Sequence, residues 1–259
     1  NKMRILVTGK NGYIGSSIIN KLKHYHHDIV GVGREDFDIT DRESTNTYFT
    51  DKYFDVVIHT AICGGSRLVE DENDVLSNNL KMFYNLLANQ NKFSQLISFG
   101  SGAELNNPTS PYGLSKSIIN DVIKGNPKLN NIRIFGVFDE NELDTRFIKS
   151  NLTNYINKET LNIHQDRFFD FVYMDDLVTT INFIIFNKYV KVIDCCYEEH
   201  YTLKEIADYI NKLGNHICDI RIKSNQTPNY IPYTGNFKDY GLNLIGLKQG
   251  IKNVYNGKN

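Results

Sequence analysis

Three side chains in the stretch FGSGAELNNPTSPYGLSK, residues 99–116, have the chemistry to move a proton beside a carbonyl group: Ser101, Tyr112 and Lys116. The Ser-Pro pair before the tyrosine is typical of a helix start, which places Tyr112 and Lys116 four residues apart on one helical face. A neighbouring ammonium group and the positive end of a helix both stabilise phenolate and so lower the pKa of a tyrosine. The pattern predicts that Ser101 holds a substrate oxygen while Tyr112 exchanges its proton. The alternative is structural, with Tyr112 packed on the core and Lys116 extended along the surface.

A glycine-rich turn lies about a hundred residues upstream. The segment TGKNGYIG places Gly9, Gly12 and Gly15 between a predicted strand and a predicted helix. Glycine permits a tight turn there and lets backbone N–H groups approach a pyrophosphate, whose charge suits a helix N-terminus. This is the context that a dinucleotide site requires, although a plain strand-to-helix turn has the same outline. The cofactor contacts predicted at this turn are Gly9, Asn11, Gly12, Tyr13, Ile14 and Gly15.

The choice between NADP(H) and NAD(H) is expected at the end of the second strand, which reads GVGRED. Arg34 can pair with a 2′-phosphate, whereas an acidic residue at that point would repel the phosphate and bind the ribose instead. NADP(H) is therefore favoured. Glu35 and Asp36 follow immediately, and NAD(H) stays open because either acid would bind the ribose if it turned inward.

Short β-rich runs alternate with segments of helical length along most of the chain. The runs are MRILVTG (3–9), DIVGVG (28–33), FDVVIHTA (54–61), FSQLISFG (93–100), NIRIFGVF (131–138) and KVIDCCY (191–197). Their alternation and continuous apolar character predict an α/β fold with a Rossmann-like, doubly wound parallel sheet. We expect a dinucleotide-binding core mainly from 1–137 and 168–197, and a small interleaved C-terminal substrate lobe mainly from 138–167 and 198–245.

The composition limits the partners of the protein. Lys and Arg number 29 against 30 Asp and Glu, so the net charge is close to zero and no nucleic acid partner is predicted. The apolar runs are far shorter than the ~20 residues of a membrane span and the first residues lack a secretory signal, so we expect a cytoplasmic protein with no membrane partner. No metal site is predicted. The cysteines are interpreted as reduced thiols in the core: Cys63, Cys195, Cys196 and Cys218.

Several motifs together resemble the extended short-chain dehydrogenase/reductase family, in its sugar-nucleotide epimerase, dehydratase and reductase branch. TGKNGYIG is similar to the family's TGxxGxxG turn, VVIHTA to its VIHxAA strand end, and IRIFGVF to its LRxxNVYG strand. DFVYMDDLV is similar to the DFIHVDDLA helix entry, and GLKQGIK to the closing LEEGL helix. Within the branch, REDFDITDRES and AICGGS look most like reductases of the GDP-fucose synthase and dTDP-4-dehydrorhamnose reductase types.

The resemblance implies an NAD(P) cofactor, a nucleotide-diphosphate sugar substrate, and a catalytic triad of Ser101, Tyr112 and Lys116. Lys116 would bond the nicotinamide ribose and depress the pKa of Tyr112, which would donate the proton to the sugar oxygen. Further cofactor contacts are expected at Asp38, Ile39, Ala61 and Asn79, the last as an orienting residue. Substrate contacts are expected at Gly64, Gly102, Arg146, Arg167 and Tyr233, with the arginines facing the diphosphate. The resemblance also implies a homodimer through a helix pair, for which 75–91 and 111–125 are candidates.

Departures from the family pattern narrow the reaction. Dehydratases carry Asp-Glu directly after the catalytic hydroxyl, where this chain has Gly102 and Ala103, so dehydration is disfavoured. The bifunctional GDP-fucose synthase type has a cysteine at the position of Ala103 and a histidine near Arg146, whose guanidinium is a poor base, so epimerisation is disfavoured too. Glu104 is expected on an exposed turn rather than facing the sugar.

The predicted function is therefore NADPH-dependent reduction of the C4 ketone of a nucleotide-linked 4-keto-6-deoxy sugar. The alternatives are an NAD-dependent nucleotide-sugar C4 epimerase, which needs the same triad, and a non-catalytic dinucleotide-binding regulator.

Overall fold

A computed structural model of the protein describes residues 2–64, 74–226, 235 and 237–257. The chain forms two compact units, one from residues 1–134 and 180–193 and the other from 135–179 and 194–259. It therefore passes between the units three times. Tyr233, a predicted substrate contact, lies outside the described residues.

The helices and strands alternate along the described chain. The strands are β1 (Arg4–Thr8), β2 (Asp28–Val32), β3 (Phe54–His59), β4 (Phe93–Ser101), β5 (Leu129–Ile134), β6 (Gly136–Phe138), β7 (Leu161–Gln165), β8 (Phe171–Tyr173), β9 (Val192–Asp194) and β10 (Ile220–Ser224). The α-helices are α1 (Tyr13–Leu22), α2 (Arg42–Phe49), α3 (Val75–Leu87), α4 (Ala103–Asn106), α5 (Pro111–Lys124), α6 (Phe147–Ile156), α7 (Met174–Phe186), α8 (Leu203–Ile210) and α9 (Leu247–Gly257).

The first unit is built on a six-stranded sheet in the order β2-β1-β3-β4-β5-β9. Strand β1 pairs in parallel with β2 and β3, and β4 pairs in parallel with β3 and β5. The apolar runs of β1 and β3 are buried throughout, which is typical of strands covered by helices on both faces. The predicted Rossmann-like, doubly wound α/β fold is confirmed.

The direction of the strand order reverses at β1, which has β2 on one side and β3 on the other. In the registers of these strands, Thr8 pairs with Val32 and with His59, so the three strands end level with one another. Ligands of open α/β sheets bind outside the carboxyl ends of the strands at such a reversal. We therefore expect a binding site at this edge of the sheet.

The second unit has two small parallel sheets, in which β6 pairs with β8 and β7 pairs with β10. Its apolar core draws on the helices α6, α8 and α9 and includes the fully buried Phe138 and Tyr155. Residues 168–179, which the sequence placed in the dinucleotide-binding core, belong to this unit instead. The reason is that β8 bonds to the short strand β6 and does not join the six-stranded sheet.

A buried hydrogen-bond cluster joins three segments of the second unit. The hydroxyl of Tyr197 donates to the carboxylate of Asp176 and accepts from the amide of Tyr173 at 3.0 Å. Asp176, 1% exposed, also accepts from the amides of Ile245 and Gly246 at 2.8 and 2.9 Å, just before α9. Burial raises the pKa of both Tyr197 and Asp176. The cluster satisfies backbone amides that would otherwise be buried without acceptors.

None of the helices that the structure describes has the length and apolar character of a membrane span. Cys195, Cys196 and Cys218 are buried free thiols, as interpreted from the sequence. The same interpretation is wrong for Cys63, which is only partly buried because it lies in the loop after β3.

Replacing Tyr197 by phenylalanine should lower the free energy of unfolding by about 2 kcal/mol, because it removes a bond to a buried carboxylate and leaves an amide without its acceptor. Chemical denaturation followed by circular dichroism measures the loss. Tyr189→Phe is the control, since Tyr189 is 74% exposed and should change stability by less than about 0.5 kcal/mol. Equal stability of the two variants would contradict the role given to Tyr197.

Candidate functional site

The glycine turn after β1 brings two backbone segments unusually close. Gly9 has a φ of +73°, and a Cβ there would lie 2.6 Å from Thr60 Oγ1. A Cβ on Gly15 would lie 2.1 Å from the carbonyl oxygen of Gly9. Gly12 differs, because the nearest atom to its added Cβ would be 3.5 Å away. Protein packing thus requires Gly9 and Gly15, whereas Gly12, at the N-cap of α1, leaves its backbone open to an approaching ligand.

A cavity of about 670 Å³ opens at this edge of the sheet. Of the predicted cofactor contacts, those that line it are Gly9, Asn11, Gly12, Arg34, Asp38, Ile39 and Ala61. Those that do not line it are Tyr13, Ile14, Gly15 and Asn79. The first three of these belong to the opening turn of α1. The size of the cavity and its open glycine backbone fit a dinucleotide lying across the strand ends.

Sequence reasoning missed several residues that line the cavity: Thr8, Val32, Gly33, Phe37, Thr40, Thr60, Ile62, Cys63, Asn78 and Met82. Thr8 and Val32 are the last residues of β1 and β2, so the ends of the apolar runs carried a signal for them. Phe37 and Met82 had none, because their approach depends on how a loop and helix α3 pack against the strand ends.

The charged residues after β2 differ in what they contact: Glu35 and Asp36 bond to neighbouring residues, and Arg34 lines the cavity. Glu35 contacts Lys10 Nζ at 3.0 Å and accepts from Asn11 Nδ2 at 3.1 Å. A hydrogen bond from its own backbone, followed by those from Asn11 and Lys10, lowers the pKa of Glu35 to about 2. Asp36 accepts from the amide of Gly33 at 2.8 Å and contacts Lys10 at 2.9 Å. Neither acid lines the cavity, whereas the exposed Arg34 does. Arg34 is therefore part of the cavity lining, while Glu35 and Asp36 are held by other partners outside it.

Thr8 ties the ends of β1 and β3 together and determines the tautomer of His59. Its Oγ1 accepts from the amides of Thr60 and Ala61 at 3.1 and 3.3 Å, so its own proton is left for His59 Nδ1 at 2.8 Å. His59 then carries its proton on Nε2 and is neutral. Burial, with repulsion from Lys116, lowers the pKa of His59 to about 3 and keeps it neutral.

Asn79, on α3, is a buried brace and not a solvent-facing residue. It is 3% exposed, and its amide both accepts from Cys63 N at 2.8 Å and donates to Cys63 O at 2.9 Å. It also donates to Ser115 Oγ at 3.3 Å, and Ser115 donates to the carbonyl of Tyr112 at 2.7 Å. Asn79 thus connects the cavity loop at Cys63 with the helix that carries Tyr112.

Helix α5 begins as the sequence predicts, with Ser110 as N-cap accepting from the amide of Gly113 at 3.0 Å. Tyr112 and Lys116 face the same way, with Lys116 Nζ 5.7 Å from the centroid of the tyrosine ring. Lys116 is only 5% exposed and donates to the carbonyl of Phe99 at 2.7 Å. Burial lowers its pKa to about 8, against the opposing charge of Glu104. The surface-lysine alternative is therefore excluded for Lys116.

Ser101 is the last residue of β4, at the same sheet edge as the glycine turn. Its Oγ accepts from the amide of Ala103 at 3.1 Å, which leaves the hydroxyl proton to donate. The structure thus brings Ser101 close to the lysine, since Lys116 bonds the carbonyl two residues earlier on the same strand.

Glu104 corrects an expectation, because it is buried and not on an exposed turn. It is 7% exposed, and its Oε1 lies 2.6 Å from Arg133 Nε on the neighbouring strand β5. Its Oε2 accepts from the amide of Ser101 at 3.3 Å. A composition-based reading misses this pair, since the partner lies 29 residues away and meets Glu104 only through the pairing of β4 with β5.

The predicted substrate contacts are dispersed over both units. Gly102 is buried and donates its amide to the carbonyl of Ile134 at 3.2 Å, while Gly64, with a φ of +75°, is exposed. In the second unit, Arg146 is the N-cap of α6, and the guanidinium of Arg167 lies 5.4 Å from the ring centroid of Phe169. Both arginines are partly exposed and stay candidates for an anion.

Residues 5–192 match the model of a family described as NAD dependent epimerase/dehydratase family. A CDP-abequose synthase from Yersinia pseudotuberculosis is 24% identical over 240 residues, which cover 82% of this chain and 84% of that protein.

Solved structures share the fold at low sequence identity. The GDP-mannoheptose C4 reductase from Campylobacter jejuni with NADP bound has a TM-score of 0.80 at 17% identity, covering 98% of each chain. A dTDP-4-dehydrorhamnose reductase from Clostridium acetobutylicum has a TM-score of 0.79 at 20% identity, covering 99% of each chain. The resemblance inferred from the sequence motifs is confirmed at the level of the family.

Lys116→Met should raise the free energy of unfolding by about 2 kcal/mol at neutral pH, because the variant no longer buries an ammonium group. The folded-state pKa of about 8 lies below the ordinary 10.5, so the unfolded chain binds more protons between these values and the parent gains stability as pH rises. The advantage of the variant should therefore shrink between pH 8 and 10.5.

Denaturant titrations across this pH range measure the effect. Lys124→Met is the matched control, since Lys124 is exposed on the same helix and should show little change at any pH. A Lys116→Met protein less stable than the parent at neutral pH would contradict the cost assigned to the buried ammonium.

Proposed function

Because the chain belongs to the NAD dependent epimerase/dehydratase family, we propose that it reduces the C4 ketone of a nucleotide-linked 4-keto-6-deoxy sugar with NADPH. The main support is the way Lys116 is held. A buried ammonium on the carbonyl of Phe99, 5.7 Å from the centre of the Tyr112 ring, is what a tyrosine proton donor needs beside it. Ser101 at the end of the same strand supplies the hydroxyl that polarises the ketone.

Each member of the triad has a distinct task in this proposal. The bound dinucleotide would supply the hydride, and the glycine turn with the cavity beside Arg34 would hold it. Ser101 donates its hydroxyl proton to the sugar carbonyl and so polarises it. Tyr112 transfers its proton to the same oxygen as negative charge develops there. Lys116 stabilises the resulting phenolate, and Asn79 holds the backbone of α5 at Tyr112 through Ser115.

Reduction is favoured over dehydration by the residues that follow the serine. Gly102 and Ala103 carry no titratable group at the positions where dehydratases of the family have acids. Glu104 is the next carboxylate along the chain, and its two oxygens are already engaged by Arg133 and by the amide of Ser101. A carboxylate held this way is a poor candidate to protonate a leaving hydroxyl or to abstract a sugar proton.

The preference for NADPH is supported by the charges at the end of β2. Arg34 lines the cavity, whereas Glu35 and Asp36 are held by Lys10, Asn11 and Gly33. A 2′-phosphate would meet a cation and would be spared both acids. The GDP-mannoheptose C4 reductase similar in fold was solved with NADP bound, and both similar structures reported above are named as reductases.

A panel of GDP-, dTDP-, UDP- and CDP-linked 4-keto-6-deoxy sugars tests the function. With NADPH, we expect loss of nicotinamide absorbance for at least one sugar, and Tyr112→Phe should cut the rate about 10²- to 10⁴-fold. Tyr84→Phe, a change at a 44% exposed tyrosine of α3, should keep the parent rate.

Four results would count against the proposal. No oxidation with any sugar, or full activity of Tyr112→Phe, would exclude this reductase. A nucleotide that stays bound through purification, with sugar interconversion but no net oxidation of NADPH, would instead identify an NAD-dependent C4 epimerase. Binding of NADPH without turnover of any sugar would favour a regulator.

Arg34→Ala should separate the two cofactors. The variant loses a charge-assisted contact to the 2′-phosphate, so we expect the KM for NADPH to rise about 10- to 100-fold while the KM for NADH stays nearly constant. Steady-state kinetics with each cofactor measures the split. Arg42→Ala is the control, since Arg42 is exposed at the start of α2 and does not line the cavity. Equal loss with both cofactors would contradict a phosphate contact.

A further inference from the structure

Two charged side chains, those of Lys116 and Glu104, form hydrogen bonds to the backbone at the end of β4. Lys116 Nζ donates to the carbonyl of Phe99 at 2.7 Å, and the amide of Ser101 donates to Glu104 Oε2 at 3.3 Å. The two bonded residues are separated by Gly100 alone. The side chains of Lys116 and Glu104 therefore converge on three consecutive residues that end in the proposed catalytic serine.

Gly100 is what allows the carboxylate to come so close. A Cβ at Gly100 would lie 2.9 Å from Glu104 Oε2 and 2.7 Å from Asn131 Oδ1. Any side chain there would push the acid away from the strand end. The sequence GSGAE, residues 100–104, thus places a glycine that leaves room for the carboxylate, the serine and the glutamate within five residues.

Arg133 pairs with Glu104 and favours its ionised form. Its Nε lies 2.6 Å from Glu104 Oε1, and the two side chains are only 12% and 3% exposed. Burial raises the pKa of Glu104, and Arg133, the Ser101 amide and Lys116 oppose that rise. A guanidinium stays protonated in proteins, so this contact favours a negative charge on Glu104 beside the strand end.

We propose that Glu104 is a positioning residue of the catalytic centre, which fixes the backbone of Ser101 and supplies the charge that keeps Lys116 protonated. The proposal rests on the proposed function for its catalytic consequence. Its physical part stands on the bonds that Lys116 and Glu104 make to Phe99 and Ser101 at the end of β4, and on the charge of Glu104 that acts on Lys116. Glu104 touches no reacting atom and acts through Ser101 and Lys116.

The other titratable groups around Lys116 do not supply this charge. His59, on β3, is neutral and only repels the ammonium when protonated. Tyr112, on the helix of Lys116 itself, presents its ring at 5.7 Å, and Arg133 is a cation paired with Glu104. Among the described residues whose charge acts on Lys116, Glu104 is thus the one that raises its pKa, against the lowering by burial.

Glu104→Gln keeps the shape of the side chain and removes its charge. Lys116 should then lose its proton at lower pH, so the alkaline limb of the kcat/KM profile should move down by about one pH unit. Asp121→Asn removes an exposed carboxylate from α5, the helix that carries Lys116, and should leave the alkaline limb in place. A lower rate with an unmoved limb would overturn the proposal, because a merely structural role predicts that result.

Glu104→Gln removes the carboxylate that pairs with the largely buried Arg133, and this loss destabilises the single variant whatever the role of Glu104 at Lys116. The Glu104→Gln/Arg133→Met pair removes both charges together, a change that proteins often tolerate. The same downward shift of the limb is expected in this pair, and a limb at the parent position would count against the role of Glu104.

A double-mutant cycle in unfolding tests the coupling without any substrate. At neutral pH the unfolding constants of Glu104→Gln and Lys116→Met should depart from multiplicativity by about tenfold, and above the pKa of free lysine the departure should vanish. If no sugar is reduced, the proposed function fails while this cycle still decides the inference. Multiplicative effects at neutral pH would refute it.

Discussion

The candidate site depends on one buried ammonium group, that of Lys116. A cation in the interior is costly unless it is bonded and compensated, and here the carbonyl of Phe99 provides the bond and Glu104 the opposing charge. Glu104 is buried in turn and needs Arg133. These contacts run from helix α5 through β4 to β5, so the proposed catalytic arrangement is also part of how these elements pack. A site built this way sacrifices some stability for a fixed ammonium beside the tyrosine.

Close backbone contact shapes the other half of the site. Gly15 packs on the carbonyl of Gly9, and Thr8 binds the amides that follow β3. These contacts hold the ends of β1 and β3 level and leave the amide-rich turn of Gly12 facing the cavity. They also keep His59 neutral beneath it, which avoids a second positive charge near Lys116. The ends of β1 and β3 therefore do two things at once: they leave room for a cofactor in the cavity, and they keep a second positive charge away from Lys116.

The expectations that failed share a physical cause. Glu104 was expected on an exposed turn, because an acid in a polar loop is normally solvated, and its partner on β5 is distant in sequence. Cys63 was assigned to the core as a typical free thiol, but the loop after β3 turns it toward the cavity. Residues 168–179 were assigned to the dinucleotide-binding core, although β8 pairs with β6 in the second unit. In each case the prediction used neighbours in the sequence, whereas the environment of the residue depends on segments that come close only in the folded chain.

The sequence alone determined the doubly wound fold, the family, the glycine turn and the helical pairing of Tyr112 with Lys116. Those features are written in short-range patterns, namely apolar runs, glycine spacing and the i, i+4 geometry of a capped helix. The tertiary structure decided the rest: that Lys10 holds Glu35 and Asp36 outside the cavity that Arg34 lines, that Asn79 is a brace, and that Lys116 is buried against Phe99 and balanced by Glu104. These depend on the register of parallel strands and on the packing of helices over their ends, and such long-range contacts leave no periodic trace in the chain.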